Sequence, residues 1–366
     1  MRLIFLGTPA FAVPTLERIV EAGHEVLSVV TQPDRPRGRG QHAAPPPVKE
    51  AALRLGLPVI QPERVRRPES VEHLRQIPVD AMVVVGYGQI IPQSVIDLAP
   101  LGIINVHGSL LPKYRGAGPI QWAIVNGETW TGVTTMRIDA GLDTGDMLLK
   151  AQTEIGPDED AMQLGRRLAV MGADLLVETL AGLAAGRIVP EKQDSSQASY
   201  APLLKKEDGR IDWSHSAAAI HNRVRGLQPW PGAYTVFRGQ QLHVWQSRGW
   251  ELGAENRGRG PGVGGRGEAP VAQESISLDR DPHDSGPGDE SARLIPGPWP
   301  PTPGHTVPRP IVPGAVISVR PLIIACGTGV LELVEVQLEG RKRMGADAFV
   351  NGQRVTENER LGELQS

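Results

Sequence analysis

Cysteine is nearly missing from this chain: Cys326 stands alone among 366 residues. One thiol excludes an intramolecular disulfide and any zinc site built on paired cysteines. Set in Ile323-Ile324-Ala325-Cys326, it reads as a small buried hydrophobe, and a reducing compartment is expected. No stretch of 18 uncharged apolar residues occurs, so no membrane span is expected. The opening strand Leu3-Ile4-Phe5-Leu6 stops at Gly7-Thr8-Pro9 without the layout of a signal peptide, which favours a cytoplasmic protein. There is no global excess of positive charge: the net charge is -3 and the pI about 6.3. Any contact with nucleic acid must therefore come from a local patch. Neither a G-x-G-x-x-G nor a P-loop follows the first strand, which argues against a nicotinamide or nucleoside-triphosphate site. His and Cys are nowhere spaced as metal ligands, so no metal is expected.

What is present is an alternation of strands and helices. Arg2–Leu6, Glu25–Thr31, Pro58–Ile60, Ala81–Val85 and Ile103–His107 read as strands. Pro14–Ala22, Val48–Leu55 and Glu69–Gln76 read as helices between them. This order predicts an α/β fold with a mostly parallel, Rossmann-like sheet, whose ligands lie outside the carboxyl ends of the strands. A helix (Ile120–Asn126), two more strands and a long helix over Asp160–Gly182 follow. Gly186–Tyr200 is polar and reads as a linker. From Ile211 onward the pattern changes to short glycine-separated strands, among them Tyr234–Phe237, Val330–Gln337 and Ala348–Asn351. These suggest a small OB-like β-barrel. Residues 251–310 hold 11 Gly and 11 Pro in 60 positions, a composition expected to be disordered. The expected organisation is a catalytic domain over 1–188, a linker over 189–205 and a barrel over 206–350. The Gly/Pro-rich stretch interrupts the barrel, and a tail covers 351–366.

The densest chemistry lies in Asn105-Val106-His107-Gly108-Ser109-Leu110-Leu111-Pro112 and in Gly141-Leu142-Asp143-Thr144-Gly145-Asp146. Asn105 and His107 alternate along a strand, so both side chains face one side. A lone strand-end histidine is ordinarily structural; an amide, an imidazole and a carboxylate together could stabilise an oxyanion and move a proton.

Asn-x-His-x-Ser-Leu-Leu-Pro followed by Leu-Asp-x-Gly resembles the signature of folate-dependent formyltransferases. Thr31-Gln32-Pro33-Asp34-Arg35-Pro36-Arg37-Gly38-Arg39-Gly40 and Gly-Leu-Asp-Thr-Gly-Asp-Met narrow the resemblance to the family acting on methionyl-tRNA. It runs from Met1 to about Trp250 and resumes near Pro313. It implies formyl transfer from 10-formyltetrahydrofolate to the amino group of initiator Met-tRNA, by a monomer. In it Asn105 donates to the oxyanion, His107 donates or shuttles the proton, and Asp143 orders His107 and takes the proton. Ser109, Leu110, Leu111 and Pro112 would contact the folate. Gly86, Tyr87, Gly88 and Ile90, with Asp139 and Leu142, would flank its pterin.

The cationic loop Gln32–Pro47 carries Arg35, Arg37 and Arg39, which the resemblance aligns with a grip on the tRNA acceptor stem; Lys205 and Lys206 add a second basic set. Other acceptors remain open on this reading. An amino-sugar formyltransferase or a formyltetrahydrofolate hydrolase would share the chemistry, and a non-enzymatic RNA-binding protein would share the basic loop and barrel.

Overall fold

The computed structural model describes residues 1–37, 42–250 and 312–362. Its first part is a seven-stranded sheet. The strands are β1 (Arg2–Gly7), β2 (Glu25–Val30), β3 (Val59–Ile60), β4 (Ala81–Val85), β5 (Ile103–His107), β6 (Trp130–Arg137) and β7 (Met147–Glu154). Their spatial order is β7-β6-β5-β4-β1-β2-β3, and every pairing is parallel except those made by β6. The helices are α1 (Val13–Glu21), α2 (Pro47–Arg54), α3 (Pro68–Arg75), α4 (Pro119–Val125) and α5 (Ala161–Ala184).

Both faces of the sheet are covered, which is why β4 and β5 are buried at every position. Ile104 and Val106 face one core with Leu16 and Ile19 of α1 and Leu176 and Leu180 of α5. Ile103 faces the other, with Val71 and Leu74 of α3. Asn105 and His107 share the Ile103 side by the period of two. Helix α5 starts where Asp160 caps it: the carboxylate accepts from the Gln163 N–H at 2.8 Å and Gln163 Oε1 accepts from the Asp160 N–H at 3.0 Å. It then comes close to β5, because Gly172 lies where a Cβ would stand 2.6 Å from Val106 Cγ1. Helix α5 thus seats the reverse side of the Asn-x-His strand. Strand order reverses between β1 and β4, so the crevice of this sheet opens at Gly7-Thr8-Pro9 and Gly86-Tyr87-Gly88.

The second part is a six-stranded antiparallel sheet. Its strands are β8 (Ala233–Phe237), β9 (Gln240–Trp250), β10 (Val316–Val319), β11 (Leu322–Ala325), β12 (Val330–Leu338) and β13 (Met344–Gly345). The order is β8-β9-β12-β11-β10, with β13 added to β12, and no ladder joins β8 to β10 among the described residues. One core collects Phe237, Leu242, Val244, Leu331 and Val336 with residues of α6 (Ala217–Gly226) and α7 (Ala346–Gln353). The Gly/Pro-rich stretch falls between β9 and β10 and lies outside the described residues.

Two readings of the sequence need correction. Ala348–Asn351 belongs to helix α7, not to a strand: Ala346, Phe349 and Val350 are its buried residues, a 3.6-residue period that the β-prone Phe-Val pair obscured. The segment read as a tail from 351 packs against the sheet as far as 362, with Leu361 in the core and Gly362 N–H donating to the Val236 carbonyl at 2.8 Å. No helix among the described residues is long and apolar enough to cross a membrane.

Arg225 of α6 ties the two parts together. Its guanidinium is buried and donates to the carbonyls of Gly156 (3.0 Å) and Glu159 (2.8 Å) ahead of α5, and to Asn222 Oδ1 (2.9 Å). Burial holds its pKa below the usual value, a cost that Asp158 and Glu159 partly offset. Replacing Arg225 by Met should destabilise the fold by about 1–3 kcal/mol, since two half-buried carbonyls lose their donor. Urea unfolding checks this; a loss under about 0.5 kcal/mol would mean that the linkage is solvated and weak.

Candidate functional site

The sheet end opens into a cleft of about 1470 Å³. Asn105, His107, Gly86, Gly88, Ile90, Asp139, Leu142 and Asp143 all line it. Phe11 and Pro14 at α1, Met162 and Val170 on α5, and Gln228-Pro229 from the second part complete its walls.

His107 is held rigidly. Its Nε2 lies 2.9 Å from the Tyr114 carbonyl and donates to it, so Nδ1 is the nitrogen left for proton traffic. The carbonyl is aimed back because Tyr114 has φ of 61°, a left-handed turn residue. Nδ1 stands 3.7 Å from Asp143 Oδ2. That is ion-pair range, longer than a hydrogen bond. Oδ2 also accepts from the Gly116 N–H at 2.8 Å. Gly116 has φ of 117°, and a Cβ there would sit 2.6 Å from the Ala201 carbonyl oxygen, so only glycine fits this donor. Asn105 is 8% exposed, and its carboxamide finds no hydrogen-bond partner among the described residues. Its amide lines the cleft, where both its donor and its acceptor are free to meet a ligand.

Asp143 arrives by a loop. The chain leaves β6 at Ile138, whose N–H donates to the Ile103 carbonyl, and doubles back toward His107 before β7 begins. The Asp139 carboxylate closes this loop on itself, accepting from the Gly141 N–H (3.0 Å) and from Thr144 Oγ1 (2.7 Å). On the opposite wall Gly86 has φ of 56°, and a Cβ there would meet Pro9 Cγ at 2.9 Å. Bare backbone therefore faces the cleft between β1 and β4. Ile90 and Leu142 stand exposed at its mouth, 87% and 61% accessible, as apolar surfaces without a protein partner to cover them.

Several expected site residues lie elsewhere. Ser109, Leu110, Leu111 and Pro112 are not among the residues lining the cleft. Ser109 is buried and gives its hydroxyl to the Lys113 carbonyl (2.6 Å), while Leu111 packs with Met136 and Met147. Thr134 Oγ1 pins this turn by donating to the Ser109 carbonyl and accepting from the Leu111 N–H. The turn carries the chain from His107 to the Tyr114 carbonyl; its apolar residues fill the interior because an uncovered pair of leucines would forfeit burial. Tyr87 does line the cleft, although its side chain packs inward and only 1% of the residue is exposed. Its carbonyl accepts from Thr8 Oγ1 (3.0 Å) and Gln32 Nε2 (3.1 Å), and burial pushes its phenol up to about 12.

The basic loop is more ordered than its composition suggested. Arg35–Arg37 and His42–Ala44 pair as an antiparallel hairpin. Arg35 is exposed beside a smaller hollow of about 440 Å³ that shares Pro9 and Gly86 to Gly88 with the cleft. Asp34 does not neutralise it. That carboxylate accepts from Gln61 and Lys49, which hold it below the usual carboxylate pKa. Arg37 lies in the first strand of the hairpin, and Arg39 lies outside the described residues. Lys205 and Lys206 are exposed at the entry to the second part. Among the described residues no group of three His, Cys, Asp or Glu is placed to hold a metal ion.

The sequence of the formyl transferase family matches residues 1–180, and that of the formyl transferase C-terminal domain matches 203–269 and 289–354. A methionyl-tRNA formyltransferase of Solibacter usitatus is 65% identical over 363 residues, 99% of each chain. The chain belongs to the methionyl-tRNA formyltransferase family. Members from Koribacter versatilis and Geobacter sulfurreducens are 48% and 44% identical over essentially the whole length. Among solved structures, an N-formyltransferase of Helicobacter canadensis in complex with folinic acid and dTDP-3-aminofucose has a TM-score of 0.54 at 21% identity. It covers 68% of this chain and 88% of that one. HypX of Aquifex aeolicus in complex with tetrahydrofolic acid has a TM-score of 0.56 at 16% identity, covering 96% and 47%. At these identities the likeness is one of fold.

The Tyr87 hydroxyl is buried with no partner among the described residues, so Tyr87→Phe should leave stability unchanged or raise it by up to about 1 kcal/mol. A loss above 1 kcal/mol in denaturant unfolding would reveal a partner for the phenol.

Proposed function

We propose that this family member transfers the formyl group of 10-formyltetrahydrofolate to the α-amino group of methionyl initiator tRNA, with Asn105, His107 and Asp143 as its catalytic groups. The observation that carries the reading is the convergence of these three side chains on one wall of the cleft, with the imidazole fixed by the Tyr114 carbonyl.

The cleft fits a flat, conjugated folate ring at one end. Glycine backbone between β1 and β4 allows close approach, and Ile90 and Leu142 offer exposed apolar surface on either side. The bound folate supplies a formyl carbon attached to nitrogen. The chain's residues supply the rest. Asn105 Nδ2 donates to the formyl oxygen, and this bond strengthens as negative charge grows there. The amine attacks the formyl carbon, and His107 Nδ1, with the Asp143 carboxylate 3.7 Å away, receives the proton that the amine sheds and returns it to the folate nitrogen as the bond from that nitrogen to the formyl carbon breaks. Nε2 keeps its proton for the Tyr114 carbonyl throughout, so the ring cannot present the wrong nitrogen. Gly116 N–H holds Asp143 Oδ2 in place meanwhile. The hairpin bearing Arg35, and Lys205 with Lys206, supply positive charge for the acceptor's phosphates.

Labelled formyl should move from 10-formyltetrahydrofolate to Met-charged initiator tRNA and neither to uncharged tRNA nor to water. Asn105→Ala should lower kcat by roughly 100- to 1,000-fold, as loss of one oxyanion donor does. His107→Ala should lower it by roughly 100- to 10,000-fold. Folate turnover without labelled tRNA would move the acceptor to water or another amine. Arg35→Glu should raise the KM for tRNA about tenfold and leave folate binding unchanged; equal damage to both would withdraw Arg35 from the acceptor side.

A further inference from the structure

The backbone at Asp143 is unusual for a side chain that must be aimed: its φ is 52°, and the loop around it is largely exposed. Asp139 braces the near half of the loop from within. The far half is braced from outside it. Gln193 Nε2 donates to the Asp143 carbonyl and to the Gly145 carbonyl, both at 2.8 Å. Gln193 Oε1 accepts from Arg115 Nε at 3.0 Å and from Arg115 Nη2 at 2.8 Å. One carboxamide therefore uses both amide protons on the loop and its oxygen on a buried guanidinium. Arg115 is 3% exposed, and among the described residues Gln193 is the acceptor its guanidinium has.

The segment carrying Gln193 is anchored on both sides. Glu191 exchanges two backbone hydrogen bonds of 2.8 Å with Met147, the residue that opens β7. Ser199 accepts from the Arg115 N–H and its hydroxyl accepts from the Tyr114 N–H, while Tyr200-Ala201 pairs with Arg115-Gly116. The same strap thus touches the residue whose carbonyl orients His107, the residue whose N–H holds Asp143 Oδ2, and the backbone of Asp143.

We propose that Gln193 is a positioning residue: it locks the left-handed backbone of Asp143 so that the carboxylate stays in range of His107 Nδ1. The proposal rests on the reading of Asp143 as a catalytic group. Gln193 has no path to the substrate in this account. Its effect on the chemistry passes through the loop that carries Asp143, and Gln193→Glu, which keeps an acceptor for Arg115, separates that effect from support of the buried guanidinium.

The test uses the full-length protein with Gln193→Leu, Gln193→Glu, Asp143→Asn and the double variant Gln193→Leu/Asp143→Asn. The glutamate keeps the volume and the acceptor for Arg115 but removes both donors to the loop, so it covers the case in which the leucine variant fails to fold. Rates are taken per folate-binding site, which cancels any inactive fraction. Both Gln193 variants should lower kcat by about 10- to 100-fold, as a misplaced catalytic group does, with both KM values within about threefold of the parent. Amide hydrogen exchange over residues 139–146 should quicken while the sheet strands stay protected. In the Asp143→Asn background the Gln193→Leu change should cost less than about twofold. A Gln193 variant with kcat within twofold of the parent overturns the proposal. So does a leucine penalty that multiplies in full on top of Asp143→Asn, or loop exchange that does not change. If Asp143→Asn alone keeps the parent rate, the catalytic reading of Asp143 fails first and the positioning role falls with it; the exchange measurement still reports whether the bracket exists.

Discussion

A strand buried on both faces should carry no polar side chain that it cannot satisfy, and β5 carries two. Leaving an amide or imidazole unpaired there costs about 1–3 kcal/mol each by protein mutational measures. The structure resolves this differently for the two residues. His107 is satisfied from within, by a chain that turns at Gly108, runs through a buried turn and reaches back with the Tyr114 carbonyl. Asn105 is left open toward the cleft. Much of the surrounding architecture follows from serving this pair: the positive φ at Tyr114, the glycine at 116, Thr134 bracing the turn, and Gly172 letting α5 seat the reverse side of the strand.

The rest of the site is assembled from chain segments far apart in sequence. Asp143 lies 36 positions beyond His107 and Gln193 another 50, yet one hydrogen-bonded path runs from Arg115 through Gln193 to the Asp143 backbone. The path has a physical logic. An exposed loop samples many conformations, and fixing each residue costs roughly 1–2 kcal/mol of backbone entropy. Bonding two loop carbonyls, those of Asp143 and Gly145, to a group that is itself pinned by a buried cation spreads that cost over contacts made when the chain folds rather than when substrate arrives.

The sheet, and the place of Asn105 and His107 on it, were legible in the sequence because both rest on short-range periodicity. Apolar runs announced β4 and β5, alternation put Asn105 and His107 on one face, and the βαβ pattern implied a mostly parallel sheet. What the sequence did not reveal lacks a period. The stretch read as a linker, 186–200, is polar and aperiodic; its function lies in single hydrogen bonds made by Glu191, Gln193 and Ser199, which composition cannot signal. Leu111 misled for the converse reason. Motif position suggested ligand contact, whereas its bulk and apolarity sent it inward, where burial repays about 25 cal/mol for each Å² removed from water. The basic hairpin was hidden because Pro and Gly at 36, 38 and 40 suppress any strand pattern.

The division of labour between core and rim explains how one fold can serve different acceptors. The groups proposed for catalysis stand on β5 and on the loop after β6, within the sheet that this chain shares in fold with solved structures only 16–21% identical to it. Those structures include one whose complex holds a nucleotide-linked amino sugar. A formyl oxygen and an attacking amine look alike whatever carries the amine, so an oxyanion donor and a proton acceptor cannot distinguish acceptors. Discrimination must reside where the bulk of the acceptor lies, outside the sheet. In this chain the elements at the rim are the hairpin with Arg35, beside the smaller hollow, and the start of α5 with Met162 and Gln228-Pro229 from the second part, which line the cleft. Arg225 fixes that second part against the first, so the geometry of the acceptor side depends on a junction remote from the reacting atoms. Under the proposed function, selectivity is therefore a property of the two parts together, and the chemistry is a property of the first.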